Sequence, residues 1–324
     1  MKTEAQNEKA LLEMKEMTQK PATSKAIHIG EAINRSLEMA EKDQAGVFGI
    51  PSGYPSLDRI TKGWGAGELI VIGARPCVGK TTLALSMARN AAVEFGVPTA
   101  YCTLESTTLE LTDRLIVSES GIKMSQLEGR SRMDDDDWFQ MEASLAKLVK
   151  APLYFADTPA KAPGEYRMGE FQVQAEALVN EKGVRLVFVD NLQEATPGWA
   201  RFTPECLAHE CGKNLRFLKE MATRTGLTIV VLTLIERPEK GRGAGPTLPD
   251  LGDYCPCAEE YADKIILLHR PSLFSFDINE NGWEPLHLRV VQNRNGRIGQ
   301  ADLLFDREGL SVHEPVEGIE VGNE

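Results

Sequence analysis

The stretch GARPCVGKTTLAL, residues 73–85, follows the apolar run ELIVIGA at residues 68–74. The apolar run predicts a buried strand, and the residues after Gly79 predict a helix. Glycine, lysine and threonine at the start of a helix form the pattern in which backbone N–H groups surround phosphates. The stretch therefore predicts a P-loop, with Ala74 where the first glycine usually stands. A glycine turn without a ligand is the alternative, and the order of the elements argues against it.

The residue types of this loop explain how it would hold a nucleoside triphosphate. Gly79 lets the backbone close around the phosphates, Lys80 reaches the β and γ phosphates, and Thr81 binds Mg²⁺. Mg²⁺ is therefore the expected cofactor. The residues predicted to contact the nucleotide are Ala74, Arg75, Pro76, Cys77, Val78, Gly79, Lys80, Thr81 and Thr82.

From residue 67 onward, short apolar runs alternate with longer amphipathic stretches. Runs of this kind predict strands buried on both faces, and helical connections between them predict a mostly parallel sheet. The fold class is α/β, in one large domain. LHLRVVQN and ADLLFD, joined by RNGRIG, predict an added hairpin at the edge of the sheet. The six runs are ELIVIGA (68–74), PTAYCTL (98–104), PLYFAD (152–157), VRLVFVD (184–190), TIVVLT (228–233) and KIILLH (264–269).

The ends of the chain differ from this domain in amino-acid composition. Residues 1–25 are polar and predict a segment without its own core, and residues 26–45 predict a linker helix. Ile29, Ile33 and Leu37 form an apolar stripe on that helix. Residues 46–310 form the predicted domain, and residues 311–324 a disordered acidic tail. Within the domain, MDDDDWF predicts a helix start favoured by the helix dipole, with Trp138 packed inward.

Two acidic residues follow predicted strands next to the P-loop. VRLVFVD ends on Asp190, which is placed to bind Mg²⁺, although a strand-end aspartate is often only a helix cap. Glu105 follows PTAYCTL at the same end of the sheet and is the candidate base that orients the attacking water. A first-turn glutamate favoured by a helix dipole is the alternative for Glu105.

The composition limits the classes of function. The chain has 324 residues, 42% hydrophobic and 26% charged, without an apolar run long enough to span a bilayer. We expect a cytoplasmic protein without a membrane partner, because no amino-terminal segment has the features of an export signal. The net charge of −12 argues against a broad basic surface for duplex DNA but is compatible with a local basic groove.

The six cysteines include no CxxC pair, so we expect reduced thiols. A zinc site is the alternative, although the spacings fit no common template. Its residues would be Cys206, His209, Cys211, Cys255 and Cys257.

Longer stretches resemble a known family. GIPSGYPSLDRITKGWGAGELIVIGARPCVGKTTLAL, CTLES, APLYFADTP, VFVDNLQ and QNRNGRIGQADLLF are similar, in order and separation, to the ATPase domain of DnaB-type replicative helicases. The resemblance covers about residues 26–308. It implies a RecA-like P-loop NTPase fold with a linker helix that packs on the next subunit. It also implies ATP as substrate and a homohexameric ring that translocates on single-stranded DNA. The ARPxxGKT and DNLQ forms disfavour a recombination or clock-type RecA relative.

The resemblance also implies roles for single residues. Lys80 and Thr81 match the Walker A residues, Asp190 the Walker B aspartate and Glu105 the catalytic glutamate. Arg294 matches the arginine finger that reaches into the neighbouring site, so activity is expected to depend on assembly. Arg270, after KIILLH, resembles the family arginine near the nucleotide base.

Four departures from the family weaken the helicase resemblance. Gln292 replaces a lysine, Leu234 stands in place of a phosphate-sensing glutamine, and Gly252 and Asp253 replace part of a DNA-contacting loop. The family's amino-terminal domain has no room in 25 residues, so we expect the linker helix to support ring assembly. Basic residues on a glycine-rich loop could compensate at the DNA, although such loops are often only solvated. They are Arg237, Lys240 and Arg242.

These features favour an ATP-dependent replicative helicase that pulls one strand through a ring of identical subunits. The alternative is a DnaB-derived ATPase that acts as a protein-binding or regulatory module without unwinding activity. The departures at Leu234, Gly252 and Gln292 favour this alternative.

Overall fold

A computed structural model describes residues 29, 30, 33, 49–157, 168–196, 203–235, 245–273 and 282–315. The chain divides into two units, Met1–Gly46 and Val47–Glu324. In the first unit, Ile29, Gly30 and Ile33 are helical, and the two isoleucines are 68% and 50% exposed. The remainder of the predicted linker helix lies outside the described residues and stays a prediction.

The second unit is built on one sheet. Its strands among the described residues are β1 (Leu69–Ala74), β2 (Thr99–Thr103), β3 (Leu153–Asp157), β4 (Leu186–Asp190), β5 (Thr228–Leu234), β6 (Lys264–His269), β7 (Trp283–Asn293), β8 (Gly299–Asp306) and β9 (Ser311–His313). Their order is β3-β2-β4-β5-β1-β6-β7-β8-β9. Strands β1 to β6 pair in parallel with their neighbours, whereas β7, β8 and β9 join the β6 edge in antiparallel fashion.

The α/β prediction is confirmed, including the six parallel strands and the hairpin formed by β7 and β8. The helices of this unit are α1 (Pro55–Thr61), α2 (Lys80–Arg89), α3 (Thr108–Ser120), α4 (Met124–Leu127), α5 (Asp135–Leu148), α6 (Met168–Lys182), α7 (Pro204–Thr225) and α8 (Ala258–Tyr261). Across the residues that the structure describes, no helix is both long enough and apolar enough to cross a membrane.

Helices cover both faces of the sheet, which explains its continuous apolar strands. Along β1, Ile70 and Ile72 belong to a buried cluster that includes residues of α2. Leu69 and Val71 point to the other face and belong to a cluster that includes residues of α7. Because successive side chains of a strand point to opposite faces, a strand covered on both sides must be apolar throughout.

Two local features differ from the sequence predictions. Trp138 on α5 is 55% exposed, so the prediction that it packs inward is wrong. The inward side of α5 instead carries Ser144, which is buried and donates to the carbonyl oxygen of Glu119. The sheet also continues past residue 310, because β9 pairs with β8.

Candidate nucleotide site

The P-loop joins the carboxyl end of β1 to α2, and its geometry depends on Gly79. This residue has a φ of 111°, and a Cβ atom there would lie 2.6 Å from the ring of Phe305. Only glycine fits both conditions, because other residues rarely adopt such a φ and none lacks the Cβ. The conformation starts α2 at Lys80 and directs the free N–H groups of its first turn toward the loop.

Lys80 lies over this loop, partly buried. Its ammonium donates to the carbonyl oxygen of Ala74 at 3.3 Å. Burial lowers the pKa of Lys80, while the negative charges of Asp190 and Glu105 act in the opposite direction. The lysine therefore lies within the electrostatic reach of both acidic residues that the sequence singled out.

Asp190, at the end of β4, is almost completely buried and receives two hydroxyl groups. Thr81 Oγ1 donates to Asp190 Oδ2 at 2.8 Å, and Tyr101 OH donates to the same oxygen at 2.9 Å. Burial raises the pKa of Asp190, and these two hydrogen bonds lower it in part. The carboxylate and the Thr81 hydroxyl together present the hard oxygen donors that Mg²⁺ prefers.

Glu105 is held by the residue that follows Asp190. Asn191 Nδ2 donates to Glu105 Oε2 at 2.7 Å, and the peptide bond between Asp190 and Asn191 is cis. The hydrogen bond orients the carboxylate of Glu105 from the next strand of the sheet, since β2 and β4 are neighbours. The alternative of a first-turn glutamate does not fit, because α3 begins at Thr108 and is capped by Thr107, so Glu105 precedes the helix.

Arg270 follows β6 and closes the far end of the loop. Its Nη2 donates to the carbonyl oxygen of Cys77 at 2.9 Å, and its guanidinium carbon lies 4.3 Å from the centre of the Phe305 ring. Glu284 forms ion pairs of 3.3 Å with both Arg270 and Arg307. Burial lowers the pKa of Arg270, and Glu284 counteracts this effect.

These groups line one open cavity of about 560 Å³ at the carboxyl edge of the sheet. Sequence analysis assigned no role to Arg114, Asn191, Phe305 and Arg307, although Asn191 and Phe305 lie within the stretches that carry the family resemblance. An arginine inside an amphipathic helix carries no motif of its own, so Arg114 could not be found from spacing. The sequence-predicted residues that line the cavity are Pro76, Cys77, Gly79, Lys80, Thr81, Thr82, Glu105, Asp190 and Arg270.

Ala74, Arg75 and Val78, also predicted to contact the nucleotide, are buried and do not line this cavity. Ala74 is the last residue of β1, and its carbonyl oxygen accepts from Lys80.

Arg294 lies near the amino-terminal ends of β1 and β6, whereas the P-loop follows the carboxyl end of β1. Asn293 pairs with Lys264, the first residue of β6, and Lys264 pairs with Ile70 near the start of β1. The P-loop follows Ala74, which lies four residues beyond Ile70, or roughly 13 Å along β1 at about 3.3 Å per residue. Arg294 is therefore at the other end of these strands, and it is not among the described residues that line the P-loop cavity of its own chain.

The family departures have structural partners. Gln292 Nε2 donates to the carbonyl oxygens of Ala262 and Glu259 at 2.8 and 3.1 Å. Gln193 bridges the end of β5, donating to Thr233 Oγ1 at 2.8 Å and accepting from the N–H of Leu234 at 3.1 Å. Gln193 therefore supplies polar contacts at the end of β5, where Leu234 offers no polar side chain of its own.

The remaining sequence candidates contribute no further site. Gly252 has a φ of 37° in the 3₁₀ turn Leu248–Tyr254. The basic residues Arg237, Lys240 and Arg242 lie outside the described residues. Within the described ranges, which include all five Cys and His residues of the zinc alternative, no group of three or more ligands is placed to hold a metal ion. The zinc alternative therefore has no structural support.

Comparison with known proteins agrees with this geometry. Residues 49–313 match the family described as DnaB-like helicase C terminal domain. A replicative DNA helicase DnaB of Leifsonia xyli subsp. xyli is 30% identical over 83% of this chain and 56% of the relative. Its counterpart in Treponema pallidum is 31% identical over 83% of this chain and 57% of the relative. The chain thus spans a little over half the length of these curated relatives.

Solved structures give the same fold. One solved ATPase domain matches with a TM-score of 0.77 and 24% identity, over 90% of this chain and all of that chain. A DnaB-like replicative helicase, solved in a study of its interactions with primase, matches with a TM-score of 0.75 and 24% identity. That match covers 90% of this chain and 69% of the helicase chain.

Proposed function

The chain belongs to the DnaB-like helicase C-terminal domain family, and from this premise we propose that it hydrolyses ATP at subunit interfaces and unwinds duplex DNA. The observation that carries the proposal is the separation of Arg294 from the P-loop cavity of its own chain. A complete site then needs a second copy, as in a ring of identical subunits that passes single-stranded DNA through its centre.

In this proposal the chain's own residues bind and orient ATP. Backbone N–H groups at the start of α2 and the ammonium of Lys80 hold the phosphates. Arg270 and Phe305 lie at the other end of the cavity, next to the position expected for the base. Glu284 keeps Arg270 in place through a buried ion pair.

The oxygens of Thr81 and Asp190 fit Mg²⁺, which is the cofactor we propose. Held by Thr81 and Asp190, Mg²⁺ would supply positive charge that neutralises charge developing on the phosphate oxygens. Tyr101 fixes the Asp190 carboxylate by donating to it, so that the carboxylate has one orientation. Burial raises the pKa of Asp190, and the positive charges of Lys80 and Arg114 favour its ionised form.

Glu105 is proposed to accept a proton from the attacking water, with Asn191 orienting its carboxylate. Arg294 of one subunit is proposed to reach the γ-phosphate bound by the next subunit and to stabilise its charge in the transition state. Hydrolysis then becomes dependent on assembly, and each turnover changes one interface of the ring.

A regulatory ATPase without unwinding activity is the second candidate. Gln193 already uses its amide group at the end of β5, and Leu234 presents an apolar side chain to the cavity. A glutamine that sensed phosphate at that position would link the nucleotide to the DNA-facing part of the chain, and this chain lacks it. The observation supports ATP turnover that is independent of DNA.

A forked-duplex assay separates the two candidates. The assembled protein is mixed with Mg²⁺, ATP and a labelled fork, and strand displacement is measured together with ATPase rates with and without single-stranded DNA. The helicase proposal predicts displacement and a DNA-stimulated rate. Hydrolysis at the same rate with and without DNA, and no displacement, would favour the regulatory ATPase. Absence of hydrolysis in assembled protein would contradict both candidates.

A further inference from the structure

The turn that carries Arg294 is fixed to two other parts of the domain. Asn293 Nδ2 donates to the carbonyl oxygen of Ile60, in α1, at 3.4 Å. The backbone N–H of Arg294 donates to the carbonyl oxygen of Asp263 at 2.9 Å. Exposed hairpin turns are usually mobile, so these bonds restrict where the turn can lie.

A third anchor leads into the interior. Asn295 Nδ2 donates to Glu68 Oε1 at 3.2 Å. Glu68 Oε2 accepts from the N–H of Gly65 at 2.7 Å and forms an ion pair with Lys264. The side chains of Lys264 and Glu68 are only 3% and 10% exposed, whereas Asn295 is an exposed residue. A surface amide is thus tied to a buried pair of charges.

Stability alone does not account for this pair. Removing two charges from water is costly, and apolar replacements of buried ion pairs are often neutral or stabilising. What a buried pair can supply is a unique arrangement of the groups around it. Here the group that depends on Glu68 is Asn295, the immediate neighbour of Arg294.

The guanidinium of Arg294 is also directed by the protein. Its Nη2 donates to the carbonyl oxygen of Glu260 and, at 3.4 Å, to that of Glu259, both in α8. The same Glu259 oxygen accepts from Gln292. Both the backbone and the guanidinium of Arg294 are therefore held by hydrogen bonds to neighbouring parts of the domain.

We propose that the Lys264–Glu68 ion pair acts through Asn295 as a positioning device for Arg294, so that the guanidinium meets the neighbouring site in one orientation. Glu68, Lys264 and Asn295 are positioning residues, because they touch neither nucleotide nor reacting atoms. The inference rests on the proposed role of Arg294 in the neighbouring site. A displacement of about 1 Å at a reacting centre can cost on the order of a hundredfold in rate.

The test is a double-mutant cycle with Asn295→Ala and Arg294→Ala, measured as kcat and KM for ATP in assembled protein. We expect Asn295→Ala to lower kcat roughly tenfold with little change in KM, because the lost interaction forms only in the transition state. In the Arg294→Ala background, Asn295→Ala should have no further effect. Arg297→Ala, which removes an exposed side chain of the same turn, is the control and should leave kcat unchanged.

Each outcome is decisive. If Asn295→Ala leaves kcat unchanged, or if the two effects multiply, the positioning role is overturned while the role of Arg294 stands. If Arg294→Ala itself leaves kcat unchanged, the proposed shared site fails, and the positioning inference fails with it.

A second variant separates positioning from stability. Lys264→Met combined with Glu68→Leu removes the buried charges together with the acceptor for Asn295. A positioning role predicts that kcat falls to the level of Asn295→Ala while the melting temperature is retained. A purely structural pair predicts instead a lower melting temperature and, in the folded assembly, the wild-type kcat.

Discussion

Thr81 Oγ1 donates a hydrogen bond of 2.8 Å to Oδ2 of Asp190, a residue 109 positions later in the chain. The bond joins the first turn of α2 to the end of β4 and brings a hydroxyl and a carboxylate to one point of the P-loop cavity. Oxygen donors gathered in this way are suited to a hard divalent cation beside a polyphosphate. The nucleotide chemistry proposed for this chain starts from that contact.

Loss of the P-loop cation should abolish turnover. We expect Lys80→Ala to lower the ATPase rate on the order of a hundredfold or more, because a preorganised cation at the developing charge is removed. Lys213→Ala, which truncates an exposed lysine of α7, is the matched control. A Lys80→Ala protein that hydrolyses ATP at the wild-type rate would refute the nucleotide assignment.

Replacing the buried Asp190 carboxylate by a neutral amide should raise thermal stability and abolish ATPase activity. Asp190→Asn keeps an oxygen that can accept from Thr81 and Tyr101 but removes a charge whose burial raises the pKa. Because the folded pKa is raised, the ionised carboxylate costs stability at neutral pH, and this cost disappears as the pH falls through the folded pKa. We expect a higher melting temperature at about pH 7 together with the loss of Mg²⁺-dependent ATPase activity.

The two halves of this prediction are measured by thermal unfolding and by ATPase assay. Asp113→Asn, on α3, is the control and should change neither quantity. A melting temperature that falls in Asp190→Asn, with the difference from wild type independent of pH, would contradict the assigned effect of burial.

Arg114 should shift the acidic limit of activity, in addition to the larger effects of burial, of the two hydroxyl hydrogen bonds and of Lys80 on the pKa of Asp190. The positive charge of Arg114 lowers the pKa of the Asp190 carboxyl. Removing that charge in Arg114→Ala raises the pKa further, so activity should be lost at a higher pH on acidification than in wild type. The measurement is the pH dependence of kcat/KM, with Arg114→Lys as the charge-conserving variant and Arg130→Ala as the control. Identical acidic limbs in wild type and Arg114→Ala would rule out this electrostatic link.

His269 should make the fold sensitive to acid. Burial, with the nearby charges of His287, Arg75 and Arg289, lowers the pKa of His269 to about 4. The folded state then binds fewer protons than the unfolded state between about pH 4 and 6.5, so stability falls as the pH falls through this window.

We therefore expect the melting temperature of wild type to drop on acidification from about pH 7 to about pH 5, and to drop less in His269→Gln. Thermal unfolding across this range checks the difference. Equal slopes in the two proteins would show that His269 does not titrate differently on folding.

The strands were predictable because each is buried on both faces and is therefore an unbroken apolar run. PTAYCTL and VRLVFVD contain β2 and β4, and their positions place Glu105 two residues after β2 and Asp190 at the last position of β4. The P-loop was predictable for a related reason, since its glycine, lysine and threonine each meet a local requirement of the backbone or the phosphates.

The features that sequence analysis missed depend on distant contacts. Whether Trp138 points inward depends on which side of α5 meets the rest of the domain, and that side carries Met141, Ser144 and Leu148. Arg114 reaches the cavity only because α3 packs beside α2, the helix that follows the P-loop. The anchor between Asn295 and Glu68 joins residues 227 positions apart. No local pattern records such a pairing.

The account depends most on a nucleotide site shared between two copies of the chain, and a mixed assembly tests this directly. Arg294→Ala and Lys80→Ala chains are coexpressed with different affinity tags, and assemblies containing both are purified through both tags. In such assemblies an intact P-loop can face an intact Arg294 from a neighbour, so ATPase activity should rise well above that of either variant alone. A mixed assembly no more active than the two separate variants would contradict the shared site.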